Sequence, residues 1–407
     1  MRRHVFVVSI TLALLGSLSA GCASTGSVNG LTAPAGAAAP KLQSVPAQHA
    51  ARAHITALGI HRMNVPTCPS PGLDSFVGGA AGNNAGGLAA GVLSGQGNEA
   101  CDQGSGVAVG YENAVSSSGD SAYYSLIGAG SNNVETTNGN DAFIGAGNAN
   151  TITQQDSAIG AGSSNEISGF NSSIGAGANN KLSGNWAFIG AGFANVVSGN
   201  YAAVDGGEAN QVSGQFATIP GGADNIASAS LTFAGGYKSY AANTGAFVWS
   251  DDASSAKQLK SSASNQFLVR ATGGVKLYSN ATLTTGVSLA PGGGSWASVS
   301  DRAVKRNLES VDDSAMLDKV ALLPISKWSY ISERGVRHIG PMAQDFYAAF
   351  GVGEDNRHIT SIDEDGVALA AIKALNRNLA AKDRALHDLS HRVDVLSAEV
   401  AAIRSHK

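Results

Sequence analysis

The chain has 407 residues, with 26 Lys+Arg against 30 Asp+Glu and a formal net charge of -4. That balance excludes the basic footprint of a nucleic-acid binder. Ten prolines without a Gly-X-Y period exclude collagen, and 3 cysteines are too few for a disulfide-stapled scaffold. The 52 glycines and the 14% charged residues depart from an ordinary domain, which has about 7% Gly and about 25% charge. The charge is also unevenly spread. Of 56 charged residues, 31 lie in residues 300–407, so the two parts need separate readings.

Residues 1–21 read as an export signal. Arg2, Arg3 and His4 precede the apolar run Val5–Leu18, which is too short to span a membrane. Ser19-Ala20-Gly21-Cys22 resembles a bacterial lipobox, with Ser19 where Leu is usual. The resemblance implies a lipid on Cys22 and attachment to a membrane by that anchor alone. Ordinary signal cleavage nearby is the alternative. Residues 22–72, poor in charge through residue 50, read as a flexible tether. In an oxidising compartment Cys68 and Cys101 are candidates for a disulfide, although spacing alone does not bring their Cα atoms together. His49, His54 and His61 lack a tight ligand motif, so neither a metal nor a cofactor is expected.

Residues 73–245 form a repeat array. Ile-Gly-Ala-Gly recurs at Ile127, Ile144, Ile159, Ile174 and Ile189, and variants begin at Val204, Ile219 and Phe233. The step is 15 residues from Ile144 to Ile219. An Asn follows six places after the anchor, from Asn133 to Asn225, and a second apolar residue lies two further on, as in Ile152, Ile167 and Leu182. Each unit therefore holds two very short strands separated by turns. Gly permits positive φ and close backbone approach, and Asn is expected to cap turns or take the left-handed region. A single unit cannot bury a core, but stacked units bury a continuous one. Outward positions read as small and polar, without a ring of acids or histidines for catalysis.

This array resembles the head of trimeric autotransporter adhesins. The resemblance implies a left-handed parallel β-roll and a homotrimer packed through an apolar face; a single-chain β-helix is the structural rival. No ligand, glycan or protein, can be assigned to the head. Residues 246–299 change character. Ala-Phe-Val-Trp at 246–249, Gln-Phe-Leu-Val-Arg at 266–270 and Val-Lys-Leu-Tyr at 275–278 read as strands of a small β neck, with Pro291–Gly294 a turn or joint.

In residues 300–370, three ordered motifs stand out. They are Ser300-Asp-Arg with Lys305 five places after the serine, Gly340-Pro-Met-Ala-Gln344-Asp345, and Asp363-Glu-Asp-Gly366-Val before a long helix. Together they resemble the C-terminal intramolecular chaperone domain of endosialidase tailspikes and phage tail fibres. That resemblance implies a domain that registers three chains and then cuts itself off. It places the nucleophile at Ser300, the general base at Lys305 and the scissile bond at Val299–Ser300, with Asp301 and Gln344 as weaker candidates. A serine hydroxyl needs such a base, and a lysine serves only when burial or nearby charge favours its neutral form. Without the resemblance, Ser300 would read as the N-cap of a short helix.

Residues 371–407 read as a coiled coil without any resemblance. Ile372, Leu379, Leu386, Val393 and Val400 repeat every seven residues. Leu375, Leu389, Leu396 and Ile403 follow three places on, with Lys382 the polar exception. The fold expected is a mainly β fibrous trimer: β-roll, β neck, small α+β domain and long coiled-coil helix. An exported surface fibre, adhesin-like, with a self-cleaving assembly chaperone is the function expected. A phage-derived spike and a spacer that binds nothing stay open as alternatives.

Overall fold

The structure is a computed structural model that describes residue 68 and residues 71–79, 82–116, 123–136, 141–253 and 257–405. The export segment, Cys22 and the three tether histidines lie outside the described residues.

Residues 76–270 wind into a parallel β-solenoid with two faces. One sheet has 14 strands and the other 12, and almost all the strands before residue 230 are two residues long. The anchor strands stack in register, as in Ile144↔Ile159↔Ile174↔Ile189, and the second strands do likewise, as in Ile152↔Ile167↔Leu182↔Val197. Both columns point inward and are essentially inaccessible to solvent. A glycine three places after each anchor, such as Gly162 at φ +122, sits against the Gly177 carbonyl and the Asn165 amide. A Cβ there would collide with both, which explains why the position is glycine in each unit.

The asparagines do something different from turn capping. Asn180 is completely buried; its Nδ2 donates to Asn165 Oδ1 at 2.9 Å and to the Gly192 carbonyl at 3.0 Å. Its Oδ1 accepts from the backbone and side-chain N–H groups of Asn195 at 3.0 and 3.1 Å. The same bonds repeat from Asn98 to Asn225 and form one buried amide ladder. The left-handed backbone falls instead on the preceding residue, for example Asn179 at φ 57 and Ala194 at φ 55. The amide is more valuable inside, where it satisfies backbone groups that water cannot reach.

The solenoid also runs past residue 245. Phe247–Ser250 and Phe267–Arg270 continue the anchor sheet, and Leu259–Lys260 continues the other. Hydrogen bonds from Thr272, then from Arg270, hold the Asp251 carboxyl down to about 2 and tie off the last turn. The neck as a separate sheet begins at Val275. It is antiparallel, with strands Val275–Tyr278, Gly286–Leu289 and Trp296–Ser298. Pro291–Gly294 is the hairpin turn between the last two.

Next come helix α1 (Asp313–Leu322), a two-stranded ribbon of Ser326–Trp328 against His338–Gly340, helix α2 (Ala343–Phe350) and helix α3 (Ser361–Ser405). Phe346, Phe350 and Val367 form the small core, with Met316, Val320 and Leu323 packed on it. Asp313 joins α1 to α3 through Lys373 at 3.0 Å and Arg377 at 2.9 Å. The hydrogen bond from Lys373, more than any other influence, holds the Asp313 carboxyl below the usual carboxylate range.

Candidate functional site

The neck delivers Ser300 to its position. The strand Trp296–Ser298 is paired to Gly286–Leu289, and the Val299 N–H donates to the Gly286 carbonyl at 3.1 Å. The bond after Val299 is thus the first one beyond the sheet. A single 3-10 turn, Arg302–Val304, follows immediately. Asp301 caps it by accepting from the Ala303 N–H at 2.9 Å. The turn folds the chain back, so that Lys305 Nζ lies 2.7 Å from Ser300 Oγ.

This geometry differs from the plain helix-cap reading. Asp301, and not Ser300, is the cap; the helical turn is three residues long and stops before Lys305. Ser300 Oγ is left with Lys305 as its partner, and both residues are exposed on the single chain. Asp301 spends its carboxylate on the turn, so its role here is to shape the loop that brings Lys305 round. Gln344 stands exposed in the first turn of α2 and makes no hydrogen bond to either residue.

The hydroxyl and the amine are at hydrogen-bonding distance, which is the arrangement a nucleophile and its general base require. The same distance serves the proton in either direction. With the ammonium the lysine donates to the oxygen, and with the neutral amine it accepts the hydroxyl proton. Burial favours the neutral amine.

The nine heptad positions from Ile372 to Ile403 all lie on α3 and are all exposed. The buried residues of that helix are Val367, Ala371 and Ala374, on the side that meets the small core. Cys68 and Cys101 are joined in a disulfide, with their Cα atoms 5.3 Å apart. Among the described residues no group of three or more His, Cys, Asp or Glu is placed to hold a metal ion.

Two features escape the reading of small, polar outward positions around an apolar interior. Trp186, Tyr201 and Phe216 form an exposed ladder with ring centroids 5.0 Å apart, and Phe170 packs edge-on against Trp186. Their 15-residue spacing was the available signal. The second is Glu135, which occupies an inward position in the core. Its alignment with Ile152 and Ile167 was visible in the repeat.

Residues 300–352 match the family described as the chaperone of endosialidase. The match begins at Ser300, includes Lys305 and ends just after α2. No curated protein matches the chain. The chain therefore combines a parallel β-solenoid with a chaperone-of-endosialidase segment and a long C-terminal helix.

Proposed function

We propose that residues 300–407 assemble three copies of the solenoid into a fibre, and that Ser300 with Lys305 then cuts the chain at Val299–Ser300. The observation that carries the cut is the 2.7 Å contact between Lys305 Nζ and Ser300 Oγ, at the first bond beyond the neck sheet. Lys305 takes the hydroxyl proton, and Ser300 Oγ attacks the Val299 carbonyl carbon. The Ser300 amide nitrogen leaves with a proton, and an ester links Val299 to the serine oxygen. Water hydrolyses the ester, leaving a carboxylate on Val299 and a free amine on Ser300. All the reacting groups belong to one short loop, so the step gains from proximity.

The exposure of the dyad supports a link between cutting and assembly. In the single chain the lysine amine stands in water. Packing of neighbouring copies around the loop would bury it and favour the neutral base, so cleavage follows assembly.

The exposed apolar surfaces support the association of copies. Helix α3 has 45 residues, about 67 Å at 1.5 Å per residue, and carries nine unpartnered heptad residues. On the solenoid, the outward residues of the anchor sheet carry no charge, as in Phe143, Ala158, Ser173, Phe188 and Ala203. The other sheet presents Glu166 and Lys181. Charge depletion supports the anchor face as the one the copies share. Holding three C-termini together raises their effective concentration and sets register for slow, non-local strand pairing. We read the fibre as an exported, adhesin-like surface protein, anchored by lipid on Cys22. Masses of the mature N- and C-termini test the anchor and the cut together. Equal refolding yields with and without residues 300–407 would contradict the chaperone role.

A further inference from the structure

The solenoid core contains a buried acid with no ion-pair partner among the described residues. Glu135 is the inward residue of the strand Val134–Glu135 and pairs between Val115 and Ile152. The next turns fill the same column with Ile152, Ile167, Leu182 and Val197. Glu135 is completely buried, and among the described residues neither carboxylate oxygen makes a well-formed hydrogen bond, the Ile144 backbone giving it only partial polar support. The turn is also irregular on both sides. The amide ladder steps 20 residues from Asn113 to Asn133 and 17 from Asn133 to Asn150, then 15 to Asn165.

The surroundings oppose ionisation. The paired strands present Val115 and Ile152, and the anchor strands of the same turns present Ile127 and Ile144, none of them titratable. Asp102, itself buried, is the charged group that acts on Glu135, and it is of like sign. Burial first, with Asp102 adding to it, raises the Glu135 carboxyl to about 8, while the Ile144 backbone pulls the other way.

We infer that the Glu135 turn is an acid-stabilised break point, where the solenoid opens locally as pH rises while the turns beyond it stay wound. The protonated acid fits the apolar interior, and the carboxylate does not. Once the turn opens, the side chain reaches water and ionises near the ordinary value of about 4.3. A group raised in the folded state favours the closed form at low pH and loses that advantage as pH climbs to the folded value. Each turn of a solenoid contacts only its neighbours, so one turn can open without unwinding the rest.

Native-state hydrogen exchange on the full chain tests this between pH 5 and pH 9, read as protection factors so that the intrinsic pH dependence of exchange is removed. Protection at Gly128 and Val134 should fall about tenfold per pH unit up to about pH 8 and then level off. Protection at Lys181 should not change. Glu135→Gln and Glu135→Leu should each flatten the profile at Gly128 and Val134. The inference is overturned if wild-type protection there is independent of pH, or if Glu135→Gln keeps the wild-type slope.

Discussion

Replacing Asn180 by Leu tests how the solenoid is held together, because Leu keeps the branch at Cγ and removes every polar atom of the amide. The substitution removes the Asn180 Nδ2 bonds to Asn165 Oδ1 and to the Gly192 carbonyl, and both Asn195 bonds to Asn180 Oδ1. Asn165 Oδ1 keeps the Asn180 backbone N–H, and the Gly192 carbonyl keeps the Ala178 N–H. The Asn195 side chain keeps the Gly207 carbonyl. The Asn195 backbone N–H keeps nothing, and it is completely buried. Three bonds at roughly 0.5–1.5 kcal/mol each, plus about 1–3 kcal/mol for the orphaned donor, give a loss of about 2.5–7.5 kcal/mol. Hydrogen exchange at Lys181 and Asn195 should accelerate by about two to five orders of magnitude. Gln211→Ala, on an exposed position of the ladder sheet, should stay within about 0.5 kcal/mol of wild type. An Asn180→Leu protein within about 1 kcal/mol of wild type would refute the ladder as a principal source of stability.

Three further outcomes follow from the same structure. Phe188→Lys, on the uncharged anchor face, should shift the full chain from trimer towards monomer in light scattering, whereas Val196→Lys on the opposite sheet should not. The carboxyl of Asp313 is depressed in the folded state. Docking of α1 on α3 is therefore secure above the ordinary carboxylate value of about 3.9 and lost as pH falls through the lower folded value. Asp313→Asn should remove that acid dependence in exchange measured along α1. Cys101→Ser opens the 33-residue separation from Cys68 and should cost the N-terminal turns about 3–4 kcal/mol on the chain-entropy account, seen as earlier unfolding in urea.

The solenoid was legible because a 15-residue period repeats the same steric demand on each turn. Ile159 and Ile174 must point inward, and Gly162 must lack a Cβ, whatever the loops do. The role of Asn180 was not legible, since its partners are Asn165 and Asn195 in the adjacent turns, and local propensity sees only its own turn. The end of the solenoid was missed for a related reason. Phe247–Ser250 and Phe267–Arg270 are separated by a longer loop, so they pair in the parallel sheet without keeping the period that announces it. The Ser300–Lys305 pair became a candidate site only through the family motifs, because a spacing of five fits a helix cap as well. The short 3-10 turn and the cap at Asp301 are what convert that spacing into a contact. The signal at residues 1–21, Cys22 and most of the 22–72 tether lie outside the described residues.

The central claim is that Ser300 cuts the chain at its own amino side. Intact-mass measurement on purified wild-type protein should give two species, one ending at Val299 and one beginning with Ser300. Ser300→Ala, which removes the hydroxyl that Lys305 contacts at 2.7 Å, should give the uncut chain alone. Wild-type protein that stays uncut after assembly, or a Ser300→Ala chain that still separates at Val299, would contradict it.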